Sequence, residues 1–426
     1  MLPSHASVVV AGGGPAGYMA AITAAEAGIA DVLLLEATAE PLHKVRISGG
    51  GRCNVTHACW DPRDLVAHYP RGAQALRGPF SRFATADTVA WFAAHGLELV
   101  EEADGRLFPL SNRSASVVAT LQTAAAAAGV RVETAQALQG VEADPGGGFD
   151  LRLRSGASLT CERLVLATGS HPSGHRIAAG LGHGLVPPVP SLFTLTLADH
   201  PLADLAGVAM DPVGLELQPL TSTTPAPKGK RGERLRQRGP VLITHWGLSG
   251  PATLRLTAFA ARLLRERRYR GELVVDWTGG RSMQELESLF AETRRSHSRR
   301  ILANARPWQG LSRRLWLHLL AGQKVEADLP WSDLGKASQQ ALITALRASR
   351  YRISGRGPFG EEFVTAGGIP LGEVNLATME SRLRPGLFLA GELLDVDGVT
   401  GGFNFQHCWT SGWLSGMALA GRRTSI

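Results

Sequence analysis

Gly12, Gly14 and Gly17 stand near the start of the chain in the spacing G-x-G-x-x-G, with Pro15 and Ala16 between the last two. Glu36 follows 19 residues after Gly17. These residue types in this order suit a dinucleotide. The first glycine permits a tight turn, the second leaves room for a pyrophosphate against the backbone, and the third lets a helix approach a sheet. A carboxylate at that distance accepts hydrogen bonds from ribose hydroxyls. A second group follows at once. Lys44 and Arg46 precede Ser48-Gly49-Gly50-Gly51, and then come Arg52, Cys53 and Asn54. Consecutive glycines allow the backbone to approach a ligand closely. If Glu36 holds an adenosine ribose, this loop runs back along the cofactor and brings Cys53 to its far end. The plainer alternative is a small buried Cys in a tight turn.

Both groups need a strand–helix–strand unit to position them. Val8, Val9 and Val10 form a β-branched run suited to a strand buried on both faces. An Ala-rich helical run, Met19 to Ala27, ends at Gly28, and Val32 to Leu35 gives the next strand, with Glu36 at its tip. The phosphate would then lie at the positive end of the helix dipole. Further on, Arg77 to His95 reads as helical, and Ser114 is the expected N-cap of a helix over Val117 to Ala128. Val130 to Thr134, Val141 and Phe149 to Leu153 read as a β-meander. Leu164 to Leu166 reads as a buried strand running into Ala167-Thr168-Gly169-Ser170.

The proline density of Pro187 to Pro190 marks a domain boundary. The expected division is 1–190 for the first part of a cofactor domain, 191–354 for an insertion, β-rich and then helical, and 355–426 for the second part. In the insertion, helices are expected from Ala252 to about Arg268, Glu285 to Arg300 and Ala337 to Ala348. Trp277, Trp308, Trp316 and Trp331 are read as packing residues.

Charge is divided unevenly. Residues 191–360 hold 26 Lys and Arg against 14 Asp and Glu, whereas the whole chain is only +7. The excess centres on Lys228, Lys230, Arg231, Arg234, Arg236 and Arg238, and it suits a polyanionic partner such as nucleic acid. A solvated Arg-rich surface is the alternative. Cys53, Cys59, Cys161 and Cys408 are too few and too scattered for a disulfide framework, and no C-x-x-C pair suggests a metal. No basic region precedes an apolar stretch at the N-terminus, and no apolar run reaches a membrane-spanning length of about 18 residues. A cytoplasmic chain without a metal or a membrane span is expected.

The segments VVVAGGGPAGYMAA, KVRISGGGRCNVT, LVLATGS, THWGLSGPATLRL, VTAGGIPLGEVN and GLFLAGELLDVDGVTGGFNFQHCWTSG together resemble the YhiN/BaiN-like flavoproteins. The resemblance runs from about Val8 to about Gly416. It implies an α/β fold with a Rossmann-like FAD-binding domain of the glutathione-reductase type, interrupted by the insertion. Thr168 and Gly169 would pass close to the adenine half of FAD. Gly391 with Glu392 or Asp395 would stand where relatives place an acid on the ribityl chain. Backbone N–H groups of Gly401, Gly402, Phe403 and Asn404 would open the last helix towards the flavin edge that becomes anionic on reduction. Arg106 and Arg113 are candidate anion contacts near the cleft, weighed against the plainer reading of each as an exposed Arg. Lys44, Gly50, Gly51, Arg52 and Asn54 complete the expected cofactor set.

A bound FAD implies electron or hydride transfer. Gly180-Leu181-Gly182-His183-Gly184 lacks a preceding strand, so a second dinucleotide site is not expected, and NAD(P)H would bind transiently at the flavin face. The expected reaction is reduction of a carbon–carbon double bond. Cys53 is the expected acid, with His407 and Cys408 behind it, since a thiol of ordinary pKa is protonated at neutral pH. A redox pair of Cys53 and Cys59 is weighed against this, but its C-x5-C spacing is one residue longer than in disulfide reductases. Family members are linked to dihydrouridine in ribosomal RNA and to bile-acid dehydroxylation, and the basic insertion favours RNA. The alternatives are a small enone or steroid-like substrate, or a non-catalytic flavin-bound RNA-binding protein.

Overall fold

The computed structural model describes residues 2–218, 235–357 and 364–421. Lys228, Lys230, Arg231 and Arg234 therefore lie outside the described residues. The chain divides into two compact units, Met1–Val189 with Val364–Ile426, and Pro190–Phe363. The return to the first unit falls at Val364 instead of the expected 355, because Ser349–Arg356 is a strand paired on both edges inside the second unit.

In the first unit, parallel strands run in the order Leu387–Leu389, Ser158–Leu166, His5–Ala11, Val32–Leu35 and Arg131–Glu133. Val8, Val9 and Val10 are buried at the centre of this sheet, as a strand covered on both faces must be. Arg131–Glu133 belongs to the parallel sheet and not to the expected meander. That meander consists of Leu138–Ala143, Phe149–Leu153 and Ser158–Leu166, paired antiparallel. The first helix, Pro15–Glu26, is buried from Ala16 through Ala24, and it ends before Gly28, whose φ is +98°.

The last helix, Phe403–Gly421, lies against the first. A Cβ on Gly412 would sit 2.5 Å from the Ala16 carbonyl oxygen, and one on Gly416 2.7 Å from that of Ala20. Two glycines one turn apart thus let the two backbones nearly touch, and this contact was not read from the sequence. A buried polar network seats the other side of the helix. Gln406 Oε1 accepts from Thr56 Oγ1 (2.6 Å) and Thr88 Oγ1 (3.0 Å), and Trp409 Nε1 donates to the Val55 carbonyl (2.9 Å).

Two expectations shift locally. Arg77 to His95 is two helices, Arg77–Phe80 and Thr85–Ala94. Ser114 is the first residue of helix Ser114–Ala127 instead of its cap, and its hydroxyl donates to the Arg46 carbonyl at 2.6 Å. That bond ties the helix to the segment leading into the Gly-rich Cys loop.

In the second unit, six antiparallel strands among the described residues close into a barrel, joined by helices Pro251–Glu266, Met283–His297, Arg313–Gly322 and Lys336–Ala348. Trp277, Trp316 and Trp331 are fully buried, and each indole N–H finds an acceptor, Ser349 Oγ, the Leu302 carbonyl and the Ala305 carbonyl respectively. Trp308 is half-buried beneath the Arg281 guanidinium.

Candidate functional site

The glycine turn forms because two of its positions tolerate no side chain. Gly12 has φ +115°, and a Cβ there would lie 2.4 Å from the Ala167 carbonyl oxygen. A Cβ on Gly17 would lie 1.9 Å from the Gly12 carbonyl oxygen. The turn is thereby folded against the Ala167–Thr168 backbone that follows the strand Ser158–Leu166. By contrast, nothing lies within 4 Å of the Cβ position of Gly14, the N-cap of the first helix, and Pro15 occupies the first helical position. The side of Gly14 where a side chain would stand is therefore open at the helix N-terminus, which leaves the room a pyrophosphate needs.

Glu36 leaves the second strand beside this turn. Its Oε2 accepts from Gly13 N at 2.8 Å, and its Oε1 accepts from the Thr38 N–H and hydroxyl, each at 2.8 Å. The carboxylate is fixed from two sides and keeps unused lone pairs.

Across the sheet, Thr168 Oγ1 is buried with no hydrogen-bond partner among the described residues. Gly169 follows with φ +61° and lies beside the Glu392 carboxylate. His175, buried in the helix Pro172–Gly180, likewise has an unpartnered Nε2. His175 was not singled out from the sequence, and a lone His in an Ala- and Gly-rich helix gives no signal to find it. Asn54 Oδ1 is a third orphan, on the Gly-rich Cys loop. An unpaired buried polar atom costs free energy, so three of them on the elements that surround the turn fit a bound polar group.

The Gly-rich Cys loop is a kinked helix, His43–Gly51, broken at Ser48 to Gly50, where Gly49 and Gly50 have φ +57° and +67°. The Cβ positions of Gly50 and Gly51 face open space. Several charged side chains expected on the cofactor are occupied within the protein. Lys44 Nζ pairs with Glu392 Oε2 at 2.5 Å, and Glu392 Oε1 accepts from Thr365 N at 3.0 Å. Arg52 donates to Asn112 and to Glu102 and lies over the Phe108 ring, 4.0 Å from its centroid. Arg106 reaches Glu102 and Asp104. Arg52 is thus a strap that holds the loop to the strand Arg106–Pro109. Arg113, at the N-terminus of helix Ser114–Ala127, is exposed.

Before the last helix, Gly401 and Gly402 have φ +123° and +89°, and a Cβ on Gly402 would lie 2.7 Å from Thr56. Phe403 stacks against His57 and His68, with ring centroids 4.8 and 4.2 Å apart. The Asn404 amide is used internally, accepting from Gly398 N (2.8 Å) and donating to Gly398 O (3.0 Å). Asp395 N donates to the Ile369 carbonyl at 2.9 Å, and its side chain is half-exposed.

The three expected catalytic residues are enclosed. Cys53 has φ +58° and no exposed surface, and burial pushes its thiol up to about 12. His407 is buried with its Nε2–H donating to the Gly391 carbonyl at 3.2 Å, and burial pushes it down to about 4. Cys408 is also buried, its thiol pushed up to about 12 by desolvation. An accessible acid at Cys53 is therefore not what the fold presents, because the side chain turns into the core with Val45 and Val55. All four cysteines are free, so Cys53 and Cys59 do not form a disulfide here. Among the described residues no group of three His, Cys, Asp or Glu side chains could hold a metal, and no helix is long and apolar enough to cross a membrane.

The family described as "HI0933-like protein Rossmann domain" matches residues 6–418. A ribosomal RNA dihydrouridine synthase of Escherichia coli is 30% identical, over 98% of this chain and 98% of that one. A 3-dehydro-bile acid delta(4,6)-reductase of Clostridium scindens is 29% identical, over 97% and 98% respectively. The crystal structure of a 3-ketosteroid-delta4-(5alpha)-dehydrogenase from Rhodococcus jostii shares the fold, with a TM-score of 0.51 at 16% identity, covering 99% of this chain and 98% of that one. With the turn, the fixed carboxylate and the orphaned polar atoms in place, the chain belongs to the HI0933-like Rossmann family, the YhiN/BaiN-like flavoproteins, and is an FAD-dependent reductase.

Proposed function

We propose that the protein reduces the C5–C6 double bond of a uridine in 23S ribosomal RNA to dihydrouridine, with NAD(P)H as the source of electrons. Bound FAD supplies hydride chemistry. In the net reaction the uracil ring gains hydride at C6 and a proton at C5, and NAD(P)H with one proton becomes NAD(P)+. The chain's own contribution is binding and electrostatics. Gly12 to Ala16 and the first-helix N–H groups hold the pyrophosphate, and Glu36 holds the ribose. Thr168, Asn54 and His175 offer their unpartnered atoms along the cofactor. Backbone N–H groups of Gly401 to Asn404 would face the flavin edge that gains negative charge. Cys53 is assigned to packing, since a thiol with no exposed surface delivers no proton to a substrate.

The observation that carries the RNA reading is the charge of the second unit. Residues 190–363 hold 26 Lys and Arg against 16 Asp and Glu. Some of this is neutralised locally, since Arg236 pairs with Glu216, Arg350 with Glu272 and Arg352 with Asp199. Arg238 is exposed. The E. coli relative named for ribosomal RNA supports the same reading. Mass mapping of 23S rRNA from a deletion strain should lose one dihydrouridine, and the plasmid-borne gene should restore it. An unchanged map excludes the RNA substrate. A second reading, reduction of a small enone, is favoured by the bile-acid relative. It requires turnover with a steroid enone that salt does not weaken, whereas RNA binding must fall steeply with salt.

A further inference from the structure

The loop that leads into the last helix is held by residues no cofactor motif includes. Asp397 is completely buried, and the guanidinium of Arg71, itself nearly buried, grips both of its carboxylate oxygens. The two residues also form a backbone bridge. Beside them, Val399 N donates to the His68 carbonyl at 2.9 Å, and Tyr69 Oη donates to the Phe403 carbonyl at 2.5 Å. Gly398 leaves no room for slack, since a Cβ there would lie 2.8 Å from Phe403 Cβ and 3.3 Å from the Tyr69 ring. The segment Asp397 to Phe403 is thus tied at several points to one short stretch, His68 to Arg71, and to Asn404.

The geometry points to Arg71, Asp397 and Tyr69 as positioning residues that set the reduction potential of the bound flavin. The inference rests on the reading that the flavin's pyrimidine edge faces the N–H groups of Gly401 to Asn404. Those donors favour the reduced flavin over the oxidised one only while they are held on the spot where charge develops. A buried, bidentate ion pair suits that task, because it allows one arrangement of the loop and loses much when one partner is removed. The pair is electrically neutral, so it fixes the donors without offsetting their field. Removing Arg71 takes away the bidentate grip on Asp397 and releases the loop, which disfavours the reduced flavin.

The test uses full-length protein loaded with FAD, and two variants, Arg71→Met and Tyr69→Phe. The readouts are the affinity for oxidised FAD, from fluorescence titration, and the midpoint potential of the bound flavin. For Arg71→Met, affinity for oxidised FAD should hold within about threefold. Affinity for the reduced form should fall at least tenfold more, which lowers the two-electron potential by about 30 mV. Tyr69→Phe removes one hydroxyl and no charge, so it should move the potential in the same direction by less, and it keeps the test available if Arg71→Met does not fold. Equal weakening of both redox forms, or a ratio changed less than twofold in the folded variants, overturns the inference. A wild-type potential no higher than that of free FAD would instead refute the underlying placement of the flavin edge.

Discussion

Replacing Gly412 by alanine adds one methyl group where the last helix crosses the first. The new Cβ would lie 2.5 Å from the Ala16 carbonyl oxygen, 2.9 Å from Met19 Cβ and 3.2 Å from Ala20 N. Two of these three neighbours are backbone atoms, so no side-chain rotation relieves the overlap. The helices must separate, at an overpacking cost of roughly 1–3 kcal/mol. Alanine gains about 1 kcal/mol in helix propensity over glycine, which offsets only part of this. The net expectation is a loss of up to about 2 kcal/mol. Ala16 belongs to the turn proposed to receive the pyrophosphate, so FAD affinity should fall about tenfold for each 1.4 kcal/mol passed to that turn. Gly322→Ala is the control. It ends helix Arg313–Gly322, has no neighbour within 4 Å, and should be neutral or stabilising. Urea unfolding of the FAD-loaded and FAD-free proteins gives the first quantity, and fluorescence titration gives the second. A Gly412→Ala protein as stable as wild type, with unchanged FAD affinity, would refute the close helix crossing.

The remaining predictions concern buried groups. His407 is lowered from 6.5 to about 4, so the unfolded chain binds the proton that the folded one excludes between those values. Its contribution to stability is present above pH 6.5 and is lost as pH falls towards 4, by about 3 kcal/mol in all. His407→Asn should flatten that part of the stability–pH curve, and a curve of unchanged slope contradicts the assignment. Ser381 Oγ accepts from Leu383 N (3.0 Å) and Arg384 N (2.9 Å) and meets His183 Nε2 at 2.9 Å, while His183 Nδ1 meets Glu373 at 2.8 Å. With two backbone donors on its oxygen, Ser381 acts as a clasp, despite a hydrolase-like Ser–His–Glu arrangement. Ser381→Ala should cost about 1–3 kcal/mol in urea unfolding and leave the visible spectrum of bound FAD unaltered. Cys53→Ala should retain dihydrouridine in the complemented deletion strain. A variant that keeps its flavin but makes no product would return Cys53 to the role of acid.

The amino-acid order alone was enough for the glycine turn, the two strands around it and the acid at the second strand's tip. Those features are local, because a tight turn, a helix start and a buried strand each depend on a handful of adjacent residues. The insertion was legible from the proline cluster and the charge shift, and its tryptophans from their size. What side chains do across the fold was decided only in three dimensions. Lys44 meets Glu392 across 348 residues, so two groups expected on a cofactor are spent on each other, and Arg71 meets Asp397 across 326, a pairing that no motif announced. Gly412 and Gly416 look like weak points in a helix until the first helix is seen against them. Cys53 shows the same limit. Its type and neighbours suggest an acid, but its positive φ and the packing of Val45 and Val55 turn the thiol inward, and sequence spacing carries no information about which way a side chain faces after such a turn.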